Sequence, residues 1–171
     1  MGKVALGIVF YVDNTGEHGW AVHLHNSTST KKWTHSSYYA DISLFNYPNA
    51  REAIKDLDGY NNTQRIRTAS NNTQYPADAY PAVYAVDFEH GWYLPAAGQL
   101  RLLFAERHTI NASLEAVSHT QQGVTPIADT FQYWSSTECN RDEAWGVTNS
   151  LGWVRNTSKN EYNRTCSVRN F

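Results

Sequence analysis

The chain has 171 residues with 14 Lys and Arg, 16 Asp and Glu, a net charge of -2 and 18% charged residues. That length buries roughly two thirds of the unfolded surface in one domain without staples, so a single domain over 1–171 is expected. The weak charge offers no basic field for nucleic acid and no polybasic patch for anionic lipid. No apolar run approaches the ~20 residues that span a bilayer, and no charged start with an apolar stretch reads as an export signal.

Val4 to Val12 is an apolar, β-branched run, followed by the turn signal Asp13-Asn14-Thr15-Gly16 and a second run from Trp20 to His25, which reads as a hairpin. Alternation places His23 and His25 on one face, where they could grip a metal together; with no Asp, Glu or Cys nearby to complete a set, two solvated histidines are the simpler expectation. Asn26 to Pro48 lacks a period and reads as a long ordered loop pinned by Trp33, Tyr38, Tyr39, Phe45 and Tyr47. Asn49 with Glu52 forms a capping-box pattern ahead of Ala53, Ile54 and Leu57, predicting a helix that stops before Gly59. Further helices are expected near Thr63 and near Asp78, where Pro81 suits a first turn.

Gly91 to Pro95 reads as extended because a residue preceding proline is pushed out of the helical region. Leu100, Leu103 and Phe104 then repeat at helical spacing to about Arg107, and Asn111 is expected to cap a shorter turn through Val117. The end of the chain predicts four strands, Gln132 to Ser135, Ala144 to Thr148, Gly152 to Asn156 and Thr165 to Arg169, with Ser150-Leu151-Gly152 as a turn. Helices in the middle and strands at both ends signal an α+β domain. Ile8 to Tyr11 is expected to pair with Val168 to Phe171 and close one antiparallel sheet.

The last fifth mixes anchors with small polar residues. Trp134, Trp145, Val147, Val154, Val168 and Phe171 are the kind of residue a sheet buries. Asn140, Arg141, Thr148, Ser150, Arg155, Asn156, Thr157, Asn160, Asn163 and Thr165 suit an outer face. A rigid frame carrying changeable polar side chains suits recognition better than catalysis. Cys139 and Cys166 are too few for a disulfide scaffold and lack zinc spacing; they pair only if their strands are neighbours, and otherwise are isolated thiols. Glu138, Asp142 and Glu143 lack a partner His or nucleophile for acid–base work, so salt bridging or turn capping is their expected role.

GIVFYVD near the start, GWYLP before a leucine-rich helix, YWSSTE, AWGV and the terminal VRNF together resemble the Lcl C-terminal domain family. The resemblance implies a C-type lectin-like fold of the formylglycine-generating-enzyme type. Within it the ending is similar to the variable proteins of diversity-generating retroelements, in which Asn codons scatter into many residue types. Cys139, Asn140, Arg141, Thr148, Asn149, Ser150, Arg155, Asn156, Thr157, Asn160, Asn163 and Thr165 are reachable from such a codon; Trp134, Glu138, Trp145, Trp153, Lys159 and Glu161 are not and would be scaffold.

The resemblance implies a non-enzymatic binding module, with a variable region over about 134–171 and contacts from Cys139, Asn140, Arg141, Thr148, Ser150, Arg155, Asn156 and Thr157. The implied partners are proteins or glycans on a host or cell surface, and the implied location is a cell surface or phage virion, with attachment to a larger assembly. The Glu-Pro-Asn, Gln-Pro-Asp and Trp-Asn-Asp triplets of calcium-dependent sugar sites are absent, and hard cations need several oxygen ligands together, so neither calcium nor any other cofactor is expected. A structural subunit of a pilus or phage tail is the competing reading, and it calls for an exposed apolar patch of a few hundred Å². A formylglycine-type oxidase is a more distant one, and it calls for a close cysteine pair with one low-pKa thiolate.

Overall fold

The computed structural model describes residues 4–38, 47–148 and 151–171. Its strands are β1 (Gly7–Val12), β2 (Gly19–His23), β3 (Tyr133–Glu138), β4 (Glu143–Thr148), β5 (Trp153–Ser158) and β6 (Val168–Asn170). Its α-helices are α1 (Ala50–Ala53), α2 (Gly59–Ser70), α3 (Pro76–Ala79), α4 (Pro81–Tyr84), α5 (Ala97–Ala105) and α6 (Arg107–Ser118). The arrangement is mixed α+β, with the helices in the middle of the chain as expected.

Two antiparallel three-stranded sheets form, in the orders β1-β2-β6 and β3-β4-β5. The expectation of a single sheet closed by β1 on β6 is corrected. β2 lies between them, pairing Ile8 with Val22 on one side and Val22 with Val168 on the other. The hairpin is held by its turn: the Asp13 carboxylate accepts from the backbone N–H of Thr15 and Gly16 and from the Thr15 hydroxyl, and Gly16 takes the φ of 77° that the turn requires. This pins β2 to β1 before the chain end returns.

Asn49 caps α1 through its side chain, which accepts from Glu52 N at 3.0 Å. The Glu52 carboxylate turns instead to Lys55, so the capping box is only half made, and α1 ends at Ala53. Gly59 opens α2 rather than ending α1, because Asp58 supplies the next cap. The helix expected near Asp78 is two single turns, each with proline at its start. α6 begins at Arg107, and Asn111 sits inside it, its amide exchanging hydrogen bonds with the backbone of Ile127.

The core comprises three clusters. The first joins Val22, Val168, Leu100, Leu103, Phe104, Ile110, Tyr133 and Val147 and so fuses the two sheets through α5 and α6. The second gathers Trp33, Ile66, Val83, Trp134 and Ala144; the third holds Ala53, Ala97, Cys139 and Trp145. Trp33, fully buried, pins the early loop by donating from its indole to Ser135 O at 2.9 Å. Tyr39 and Phe45 lie outside the described residues.

Candidate ligand-contact face

The β4–β5 ladder sorts the final stretch into two faces. Glu143, Trp145 and Val147 pair with Ser158, Asn156 and Val154, and Ala144, Gly146 and Thr148 pair with Thr157, Arg155 and Trp153. Directly paired residues share a face. The first set turns toward the helices, since Val147, Val154 and Trp145 join the core. The second leaves Arg155 and Trp153 exposed and Thr148 and Thr157 half-buried, while its Ala144 is buried in the second cluster with Trp134. Gly146 makes room for Gln132 to pack over that face: a Cβ there would come 2.6 Å from Tyr133 O and 2.7 Å from Gln132 Nε2.

The β3–β4 turn is a built structure. Asn140 Oδ1 accepts from the N–H of Asp142 and Glu143, while Glu143 Oε2 accepts from the amides of Asn140 and Asn156 at 2.8 and 3.0 Å. Beneath it, Lys159 donates to Glu138 Oε1 at 2.6 Å and to Arg141 O at 2.9 Å, both charged side chains being about fully buried. Salt bridging and turn capping are therefore what Glu138 and Glu143 do here.

The expected contact residues do not fall on one surface. Arg155, Thr157 and Thr148 share the outer face, and Asn140 and Arg141 stand exposed on the turn. Asn156 points the other way, toward Glu143. Cys139 is buried, at 7% exposure. Ser150 lies outside the described residues. Asn163 and Thr165, expected outside, are buried, because Lys31 and Asn163 bond reciprocally through their backbones and fold that segment under the early loop. Phe171, expected inside, is 49% exposed, since β6 ends before it. Trp153, the remaining surprise, is 63% exposed, and alternation along β5 was the available signal.

The two thiols are free and lie in different clusters. Burial pushes Cys166 up to about 12, and burial with the Glu143 charge raises Cys139. Neither is the lowered thiolate the oxidase alternative needs. His23 packs edge-on to Trp92 and accepts from His25 N, and His25 faces Gly123 O. Among the described residues no group of three or more His, Cys, Asp or Glu is placed to hold a metal ion. A cleft of about 490 Å³ opens along α6, lined by His108, Leu114, Glu115 and Val124, on a different element from the outer face. No described helix is long and apolar enough to cross a membrane.

No protein-family model matches the chain, and no curated protein matches it. Among solved structures, a fimbrial protein from Bacteroides ovatus ATCC 8483 is similar, with a TM-score of 0.65 at 19% identity over 90% of this chain. The chain spans 36% of that protein's length, and at this identity the likeness is one of fold.

Proposed function

We propose that the chain is a domain of a cell-surface assembly of fimbrial type, acting as a structural subunit. The observation that carries this is the fold shared with part of a fimbrial protein. An exposed apolar edge supports it. β1 is paired on one side only, and Val4, Leu6, Val9, Tyr11 and Val12 around it are 69, 64, 51, 37 and 47% exposed. No charge or proline guards the strand, and such edges pair with other chains. Sedimentation velocity across a concentration series tests the reading. Self-association is expected for the native chain and monomer for Val9→Lys; a native chain that stays monomeric throughout counts against it.

A second reading has its own support: the subunit displays an exchangeable ligand-contact face on a C-type lectin-like scaffold, as in the variable proteins of diversity-generating retroelements. Of the six positions that such a codon cannot reach, Trp134, Glu138, Trp145 and Lys159 are buried and Trp153 and Glu161 exposed; of those that it can reach, Asn140, Arg141, Arg155 and Asn160 are exposed and Cys139, Asn163 and Thr165 buried. Exposed substitutions change stability by only about half a kcal/mol, so such a frame tolerates exchange. The two readings are compatible, an assembled subunit presenting a binding surface to proteins or glycans of another cell.

A further inference from the structure

β1 leaves one side of its sheet open, and the hydrogen-bond phase of that side follows from the strands beyond it. His23 N donates to Ser167 O, and Gly19 and Phe171 exchange both their backbone bonds, so the odd-numbered residues of β2 face β6 while Trp20 and Val22 face β1. Ile8, opposite Val22, therefore bonds inward. Gly7 and Val9, opposite His23 and Ala21, aim their N–H and C=O groups away from β2. Among the described residues no strand lies on that side.

Both ends of this open stretch are closed by the chain itself. Two residues earlier in the same phase, Ala5 N donates to Gln121 Oε1 at 2.8 Å and Gln121 Nε2 donates to Ala5 O at 3.1 Å, so a side-chain amide does there what a neighbouring peptide group does in a ladder. Beyond Val9 the register shifts, and Tyr11 sits opposite Trp20 and bonds inward again. What stays open is Gly7 and Val9, one on each side of Ile8. Beside them a groove of about 210 Å³ runs between residues 8–12 and Thr109, Ile110 and Ser113 of α6.

We propose that this edge is the interface between two copies of the chain, paired β1 to β1 antiparallel about a two-fold axis at Ile8. Turned end for end about Ile8, the strand sets its Val9 against Gly7 and its Gly7 against Val9, a self-complementary match that makes four backbone bonds. The 51% exposed Val9 of each copy then lies over the side-chain-free Gly7 of the other, and the 64% exposed Leu6 comes beside Phe10. The two Ile8 side chains meet at the groove. A foreign strand that continued the ladder past Gly7 would have to displace Gln121 from Ala5. A second copy leaves that cap alone, because it brings its own bulge there, where Tyr11 has turned its groups to Trp20. The proposal rests on the reading of the chain as a self-associating subunit, and it makes the contact a closed pair.

Sedimentation equilibrium of the full chain tests it. Val9→Pro removes an outward N–H that β2 does not use and suits an edge strand, whereas Val9→Thr keeps the N–H and the branched shape. The native chain and Val9→Thr are expected to dimerise with dissociation constants within about threefold of each other, and Val9→Pro to dissociate roughly tenfold or more readily. In Ile8→Cys the new thiols face each other with Cα atoms about 4.5 Å apart, within disulfide range, so mild oxidation should join the copies covalently; the native thiols are buried. Val12→Cys, which this register holds about 25 Å from its counterpart, should stay unlinked under the same conditions. A dimer that Val9→Pro leaves intact, or that links through Val12→Cys and not Ile8→Cys, overturns the pairing while the subunit reading stands. Growth past the dimer with concentration overturns the closed pair in favour of a strand handed from one copy to the next. A native chain that stays monomeric throughout removes both.

Discussion

At the residue scale the most consequential pair is Lys159 with Glu138. A lysine and a glutamate at 0 and 1% exposure lose their hydration, and the 2.6 Å contact, the Arg141 carbonyl and the Trp33 ring 4.8 Å from the ammonium help to compensate. Removing one partner leaves an uncompensated buried charge, which costs about 3–5 kcal/mol. Lys159→Met is thus expected to lower the urea midpoint sharply, whereas Lys159→Met with Glu138→Leu recovers much of the loss. Chemical denaturation of the three proteins checks this, and a single variant as stable as the native chain excludes it. Since Lys159 Nζ also ties down Arg141 O, the single variant should loosen the turn carrying Asn140 and Arg141, seen as faster amide exchange of Asp142 and Glu143.

At the element scale, β3 explains what the run Tyr133 to Glu138 is for. Its pairing with β4 jumps from Trp134↔Gly146 to Glu138↔Ala144, and the three hydroxyl residues inside this irregularity are buried. They make the bonds that the ladder does not: Ser135 Oγ donates to Trp145 O, Thr137 Oγ1 donates to Asp56 and accepts from Ala97 N, and Ser136 N donates to Pro95 O. Asp56, itself 5% exposed, also accepts from the Asn62 amide, so one carboxylate couples the α1–α2 linker to the strand. Asp56→Ala orphans two buried donors at once and is expected to cost about 2–5 kcal/mol, read as a drop in melting temperature; Asp56→Asn, which keeps an acceptor, should lose less. An alanine variant with the native melting temperature would mean that water replaces the carboxylate.

This network marks where the sequence was readable and where it was not. Hairpin, helical middle and terminal strands follow from short-range periodicity and turn chemistry, all carried by neighbouring residues. The sheet order does not, because nothing local in GIVFYVD says whether the chain end joins β1 or β2. The strand read as Gln132 to Ser135 runs on to Glu138, and its buried Thr137 bonds Asp56 some eighty positions away. At the candidate site, alternation placed Arg155 and Thr157 together, but Cys139, Asn163 and Thr165 are inside because of long-range partners that composition does not reveal. Trp153 ran against its type: tryptophan is usually core, and here the edge position of β5 leaves it outside.

At the scale of the whole molecule, the core is built partly from hydroxyls and thiols that stay neutral when buried. Burial pushes Tyr93 and Cys166 up to about 12 and raises Tyr133, Tyr80 and Tyr47 as well. Tyr93 is central, since its hydroxyl donates to Asn170 Oδ1 and accepts from Gln99 Nε2, whose Oε1 takes the N–H of Gly59 and Ala96. One phenol thus joins β6 to the starts of α2 and α5. A group with a raised folded pKa holds its proton more tightly in the native state, so its stabilisation is complete below the unfolded value and disappears as pH climbs through the folded one. For Tyr93 that window runs from 10 to about 12. The urea midpoint is therefore expected to be flat toward neutral pH and to fall steeply above about pH 10, with tyrosinate absorbance rising together with unfolding rather than before it. Tyr93→Phe should make the fall shallower while lowering the neutral midpoint through loss of the Gln99 and Asn170 bonds. Tyrosines that all ionise near their ordinary pKa in the still-folded protein would show that the phenols are hydrated and that the sheets are joined by the apolar cluster alone.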